Sequence, residues 1–281
     1  MLAMANASKS PALQQLGGNI VLAGAGKMGG ALLAGWLAQG LDAGDVVVID
    51  PQPSDEIRAL TARGVRINAS AADVGAVSTM VVAVKPQTFS GAAEVLRGYA
   101  DRSTLVVSVM AGIPIATLSA QIGGRIVRAM PNTPAAIGRG ITVAVADSDV
   151  TAAQRATADA LLRATGAVEW VEDEGLIDAV TAVSGSGPAY VFLLAEELAR
   201  AGVAAGLPEQ LAMTLARATV AGSGELLHRS ELDAATLRKN VTSPGGTTAA
   251  ALDVLMADDG LRPLMTRAVA AAAKRSKELA K

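Results

Sequence analysis

At 281 residues the chain is long enough for two domains of ordinary size, and at 51% hydrophobic and 18% charged it buries a sizeable core rather than staying disordered. A net charge of -2 and only 2% aromatic residues exclude the basic surface of a DNA-binding protein and the stacking platform of a single-strand binder. With no cysteine there is no disulfide and no thiolate chemistry, which fits a reducing compartment. Lys9 and Pro11 interrupt the N-terminus where an apolar signal core would sit, and no charge-free run of about twenty apolar residues appears. The expectation is a cytoplasmic protein with neither nucleic acid nor membrane as partner.

Residues 1–17 read as a flexible, Ala/Ser/Gln-rich leader without periodicity. At Asn19 an apolar run (Ile20, Val21, Leu22, Ala23) begins, the pattern of a parallel strand covered on both faces. It breaks into Gly24, Ala25, Gly26, Lys27, Met28, Gly29 and then an Ala/Leu-rich helical run. This is GxGxxG in the strand–turn–helix setting it requires. The first glycine permits the tight turn, the second lets a pyrophosphate approach the backbone, and the third lets helix lie close on strand. The next apolar run, Val46 to Ile49, ends in Asp50, 21 residues after Gly29, where such a fold places an acid on a ribose. A dinucleotide site is the reading; the plain alternative is a glycine-rich turn without ligand.

Further apolar runs follow at Val65–Asn68, Met80–Val84, Leu105–Val109, Arg125–Met130, Thr142–Ala146 and Ala167–Val171, with amphipathic segments such as Asp55–Arg63 and Ala152–Ala164 between them. Strand and helix in alternation predict an α/β doubly wound sheet over residues 18–174. After Glu174 the strand pattern stops. Residues 175–281 read as all-helical, with helices at Pro188–Ala205, Pro208–His228, Asp233–Lys239, Gly246–Ala257 and from Leu261 on. This half carries too many apolar residues for thin helices alone in water, which predicts burial against a second copy of the chain.

In such a sheet, ligands meet the carboxyl ends of strands. Ala83, Val84, Lys85 and Pro86 end one strand there, Val109, Met110 and Ala111 a second, and Asn132 follows a third. Lys85 is placed to meet a cofactor or an acidic substrate. Asn132 offers an amide to a carboxamide, although an Asn between prolines is commonly a turn former. In Val241–Thr248 (VTSPGGTT), Ser243 and Pro244 precede Gly245 and Gly246, and Thr247 and Thr248 open a helix. Free N–H groups at such a start hold an anion, here a small carboxylate held by Gly246, Thr247, Thr248 and the Ser243 hydroxyl. An N-cap with a Gly-Gly hinge is the plain alternative.

Ser184–Tyr190 (SGSGPAY) lacks the setting of a nucleophile elbow, and His228, the sole histidine, makes a Ser-His-Asp triad improbable. Metal ligation has no support either: no cysteine, one histidine, no spaced carboxylate motif. In the acidic cluster Glu172-Asp173-Glu174, Glu174 is the candidate to face the domain cleft and, with Gly245, to join the substrate-binding residues.

Together GAGKMGGALL, AVKPQ, RAMPNTP, LIDAVTAVSGSGPAY and VTSPGGTT, in this order, resemble Δ1-pyrroline-5-carboxylate reductase over nearly the whole chain from Gly18. The resemblance implies an N-terminal Rossmann domain and a C-terminal helical dimerisation domain, with dimers assembled into a larger ring. It implies hydride transfer from NAD(P)H to the C=N carbon of a cyclic imino acid, the last step of proline synthesis. It assigns Gly24–Gly29 and Ala83–Pro86 to the cofactor, Val109–Ala111 to the nicotinamide, and Gly246, Thr247 and Thr248 to the substrate carboxylate. Thr248 would hydrogen-bond the ring nitrogen, and Asn240 would reach the cofactor from the partner subunit. Asp50 departs from the NADPH habit of that family, since a carboxylate favours a free ribose hydroxyl. Ser54, Arg58 or Ser70 would have to supply contacts to a 2′-phosphate, and the choice between NAD and NADP stays open. Rival readings are a β-hydroxyacid dehydrogenase, for which Lys239-Asn240 is the only lysine–asparagine pair suitably placed, and a non-catalytic dinucleotide sensor, which would have no chemical use for VTSPGGTT.

Overall fold

A computed structural model describes residues 9–279. The chain divides into two compact units: one runs to Gly185 and takes back the chain from Ala273 on, and the other is Ser186–Ala272.

The first unit is built on strands β1 (Asn19–Ala23), β2 (Val46–Ile49), β3 (Arg66–Ile67), β4 (Val77–Val82), β5 (Leu105–Ser108), β6 (Arg125–Met130), β7 (Gly140–Ala146) and β8 (Gly166–Trp170). They form one eight-stranded sheet in the order β3-β2-β1-β4-β5-β6-β7-β8. The chain runs outward from β1 to β3 and then returns to the other side of β1, so β1 and β4 flank the switch point where doubly wound sheets bind ligands. All neighbours are parallel except β6 and β7. The link between those two holds only the short turn Thr133–Ile137, too short for a crossover, so β7 returns antiparallel.

Side chains alternate between two apolar layers, one on each face. Ile20, Leu22, Val46, Val48, Leu105 and Val107 enter one; Val21, Ala23, Val47 and Val106 enter the other. The helices covering them are α1 (Pro11–Gln14), α2 (Lys27–Ala38), α3 (Asp55–Ala59), α4 (Ala71–Val74), α5 (Phe89–Leu96), α6 (Ile115–Gln121), α7 (Ala152–Arg163) and α8 (Ile177–Val180). Each predicted strand is present. β4 starts at Val77, earlier than its apolar run suggests, because Thr79 is buried and Ser78 Oγ donates to the Asn19 carbonyl at 3.2 Å.

Two sequence expectations are corrected. The segment read as a leader is structured from Pro11 on: Leu13 is fully buried in the core, and Ser10 N–H donates to the Gln39 carbonyl at 2.9 Å. Residues 1–8 of that segment lie outside the described residues. The second concerns where the long helix after Glu174 begins. Glu174–Ala204 is one 31-residue helical stretch, long and apolar enough to cross a membrane by length and composition alone, and it holds an 18-residue window of mean hydropathy 1.3, of which 11% is buried in this chain. A wide π turn at Thr181–Gly185 joins α8 to α9 (Gly187–Ala204), so the helical path does not begin at Pro188 as its sequence suggests. The ring of Pro188, which has no N–H, follows directly on the turn where the helical ladder is widened.

In the second unit α9 and α10 (Glu209–Arg229) are followed by α11 (Ala234–Asn240), α12 (Thr247–Leu255) and the start of α13 (Leu261–Leu279). Phe192 is 67% exposed, and Val191, Leu193, Leu194, Leu226 and Leu227 are exposed with it. An apolar surface this dense is a surface for a partner.

Trp36 of α2 is the largest fully buried side chain, and its indole N–H donates to the Leu161 carbonyl of α7 at 2.8 Å. Trp36→Ala is expected to destabilise the first unit by about 3–5 kcal/mol, visible as a lowered urea midpoint by circular dichroism.

Candidate functional site

The site begins at the turn between β1 and α2. Gly24 has φ +85°, and a Cβ there would meet the Ala83 carbonyl oxygen of the neighbouring strand at 2.8 Å. A Cβ on Gly29 would overlap the Gly24 carbonyl oxygen. Both glycines are therefore required by backbone lying on backbone. Gly26 differs: it is exposed, and a Cβ there meets nothing within 4 Å. Open space at the middle glycine is what a pyrophosphate lying on the loop requires. The first bond of α2 runs from Gly30 N–H to the Gly26 carbonyl at 2.7 Å, so the N–H groups of Lys27, Met28 and Gly29 lack intrahelical acceptors. N–H groups left so at a helix N-terminus are suited to an anion.

The neighbouring strand ends complete the edge. Ala83 N–H donates to the Ala23 carbonyl at 2.7 Å, and Val109 N–H to the Val82 carbonyl at 3.0 Å, which carries β1, β4 and β5 side by side to their carboxyl ends. Lys85 is exposed and extended ahead of Pro86, and its carbonyl accepts from Thr88 at the head of a short turn. Met110 is buried and Val109 nearly so; Ala111 is the exposed member of that loop. Asp50 Oδ2 accepts the Ala25 N–H at 2.8 Å, which joins the end of β2 to the glycine loop.

Other candidates have local partners. Ser70 caps α4, its Oγ donating to Asp73 at 2.6 Å. Asn132 Oδ1 accepts the Ile141 N–H at 3.0 Å across the β6–β7 turn. Glu174 Oε1 accepts from Arg128 Nη1 at 2.7 Å and from the Ile115 N–H at the head of α6 at 2.9 Å. Arg128 is buried, with its Nε unpartnered, so the pair anchors the end of β6 inside the first unit. Sequence reasoning missed Arg128, although an arginine inside an apolar strand is a signal that a carboxylate must come to it. It also missed that a Cβ on Gly185, in SGSGPAY, would meet Met130 Cε of RAMPNTP at 2.7 Å.

In the second unit, Asp233 caps α11 by accepting the Thr236 N–H at 2.8 Å, and that hydrogen bond holds its carboxyl below the usual carboxylate range. Asn240 ends α11 and is exposed. Past the exposed Ser243, Gly245 takes φ +70°, and Gly246 N–H donates to the Ser243 carbonyl at 3.0 Å. The first bond of α12 runs from Ala250 N–H to the Gly246 carbonyl at 3.2 Å, which leaves the Thr247, Thr248 and Ala249 N–H groups without helical acceptors. Side chains cap α3, α4, α7 and α11, whereas α2 and α12 each start from a glycine with no side-chain acceptor. α1, α5, α9 and α10 also start without a side-chain cap; α2 and α12 differ in that each is led by a glycine in extended conformation.

A glycine loop at the switch point of a doubly wound sheet, with an acid at the end of β2, defines a dinucleotide-binding protein. The family described as pyrroline-5-carboxylate reductase dimerisation matches residues 174–279, and that described as NADP oxidoreductase, coenzyme F420-dependent, matches residues 19–112. A pyrroline-5-carboxylate reductase of Pseudomonas aeruginosa is 41% identical over 266 residues, covering 93% of this chain and 96% of that protein. One from Synechocystis is 41% identical over 92% of this chain and 97% of its own length. A solved reductase of the same name from Coxiella burnetii superposes with a TM-score of 0.85 at 35% identity, covering 94% of this chain and 99% of that one. One from Plasmodium falciparum, described with NADP bound, superposes at 0.75 and 29% identity, covering 94% of this chain and 98% of its own. The chain belongs to the pyrroline-5-carboxylate reductase family.

Gly24→Ala is expected to abolish NADH and NADPH binding in a fluorescence titration by displacing the loop from Ala83. Gly26→Ala, built into open space, should fold normally and weaken both by about tenfold or more through steric exclusion of the pyrophosphate.

Proposed function

We propose that this chain reduces Δ1-pyrroline-5-carboxylate to L-proline with NADH or NADPH as reductant, the last step of proline biosynthesis, in the cytoplasm. The observation that carries the reading is the uncapped, glycine-led start of α12 in VTSPGGTT, present together with a switch-point glycine loop. A carboxylate and a pyrophosphate are the two anions such a reaction brings.

The residues suited to the dinucleotide are Gly24, Ala25, Gly26, Lys27, Met28 and Gly29, with Asp50 at the ribose and Ala83–Pro86 and Val109–Ala111 along the strand ends. The open space at Gly26 and the acceptor-free N–H groups behind it fit that group. When bound, the reduced cofactor supplies the hydride. Asn240 reaches it from a partner subunit. The amides of Gly246, Thr247 and Thr248 and the Ser243 hydroxyl hold the substrate carboxylate. Glu174, which the sequence offers to the substrate, fixes the end of β6 through Arg128.

A protonated cyclic imine is already electrophilic, so it requires no nucleophile. Positioning is the protein's main contribution, worth about 7–11 kcal/mol in favourable cases. The Thr248 hydroxyl holds the ring nitrogen and donates to the lone pair that appears there as the neighbouring carbon is reduced. Loss of NAD(P)H absorbance with pyrroline-5-carboxylate tests the assignment, and binding of both cofactors with no oxidation would remove it. Thr248→Ala is expected to lower kcat/KM at least about tenfold, the worth of one hydrogen bond to a charged group, and Thr248→Ser to restore most of it. Unchanged turnover and affinity in the alanine variant would remove that role.

The helical region is the family's dimerisation region, and its apolar face supports a homo-oligomer. Assembly of dimers into a larger ring extends that reading. Light scattering at micromolar concentration should return at least a dimer, and Phe192→Asp should shift the population toward monomer. A monomeric unaltered chain would sink the proposal.

A further inference from the structure

The end of β2 says which dinucleotide the site takes. Asp50 is held on every side. Its Oδ2 accepts the Ala25 N–H and its Oδ1 the Gln52 N–H, both at 2.8 Å. Its own N–H donates to Asn68 Oδ1 at 2.9 Å, and its carbonyl accepts from Asn68 Nδ2 at 2.8 Å. Asn68 makes this clamp from φ +52°, the one positive φ outside glycine among the described residues. The carboxylate is thereby fixed beside the glycine loop, and each oxygen keeps lone-pair capacity for a second donor. A free ribose 2′-hydroxyl is such a donor. A 2′-phosphate brings negative charge against negative charge.

The turn offers that phosphate little in return. Pro51 and Pro53 have no N–H, and the Gln52 N–H is taken by Asp50. Ser54 Oγ accepts the Ile57 N–H at the head of α3, and Ser70 Oγ is engaged with Asp73. Arg58 lies 3.8 Å from Asp55 on its own helix. Ser70 and Arg58 thus already have local partners, which leaves the Ser54 hydroxyl as the one donor of the three, and among the described residues none of the cations is paired with Asp50.

We infer that Asp50, clamped between the glycine loop and Asn68 in a turn poor in donors, makes this chain select NADH over NADPH. The selectivity deepens the proposed function and rests on its dinucleotide site. Equilibrium titration of the purified chain with each reduced cofactor, without substrate, separates the two readings. NADH should bind at least about tenfold more tightly than NADPH, and raising the ionic strength should narrow that ratio by screening the repulsion. Asp50→Asn should narrow it further, chiefly by strengthening NADPH binding, and the ratio of kcat/KM values should move in parallel. The salt series uses the unaltered chain, so the test stands even where the variant loosens the loop. Equal or tighter binding of NADPH by the unaltered chain would overturn the inference. So would a ratio that neither salt nor Asp50→Asn moves. Selective NADH binding without turnover would support the inference while removing the reductase reading.

Discussion

The contact on which the structure depends is one without side chains: the turn after β1 lies directly on the backbones of α2 and β4. Gly24 lies against Ala83, and Gly29 against the Gly24 carbonyl. Any side chain at either position would push helix from strand and part β1 from β4 at the switch point. With no side chains between them, β1, β4 and β5 end at one edge, joined by the bonds from Ala83 to Ala23 and from Val109 to Val82. The same closeness brings the first N–H groups of α2 to that edge. The exposed N–H groups are a by-product of close packing, which is why the glycines that the fold needs are also the ones proposed for the ligand.

The two helix starts proposed for ligands share one device. Most helix starts in globular proteins are satisfied by a serine, threonine, aspartate or asparagine, and α3, α4, α7 and α11 follow that habit through Ser54, Ser70, Thr151 and Asp233. α6, led by Pro114, borrows Glu174 from far along the chain. α2 and α12 start from Gly26 and Gly246 in extended conformation, with no side chain covering the N–H groups. A glycine cap leaves a helix dipole end bare at small cost in stability.

Sequence reading succeeded where a signal is local and periodic. The strand runs, the glycine loop and the acid that ends β2 all carry their physics within a few residues, and the strands and the loop stand in the structure where the periodicity puts them. It was less able to tell a local cap from a ligand contact, since Ser70 and Asn132 are the right residue types for either. Partners distant in the chain were illegible. Nothing beside Arg128 in sequence announces Glu174, 46 residues on, although a buried guanidinium demands a carboxylate from somewhere. Leu13 was missed for the opposite reason: one apolar side chain in a polar stretch has no periodicity, yet the core takes it whole.

The last helix carries a consequence for how the protein is made. α13 starts in the second unit and ends in the first, where Ser276 Oγ donates to Asp178 at 2.6 Å and the Leu279 backbone lies against Gly112. During synthesis the nucleotide-binding half emerges first yet lacks these contacts until all of Ser186–Ala272 has been translated. Its final packing therefore waits for the closing part of α13, and a half released before that part is made keeps an open seam beside the β5 loop.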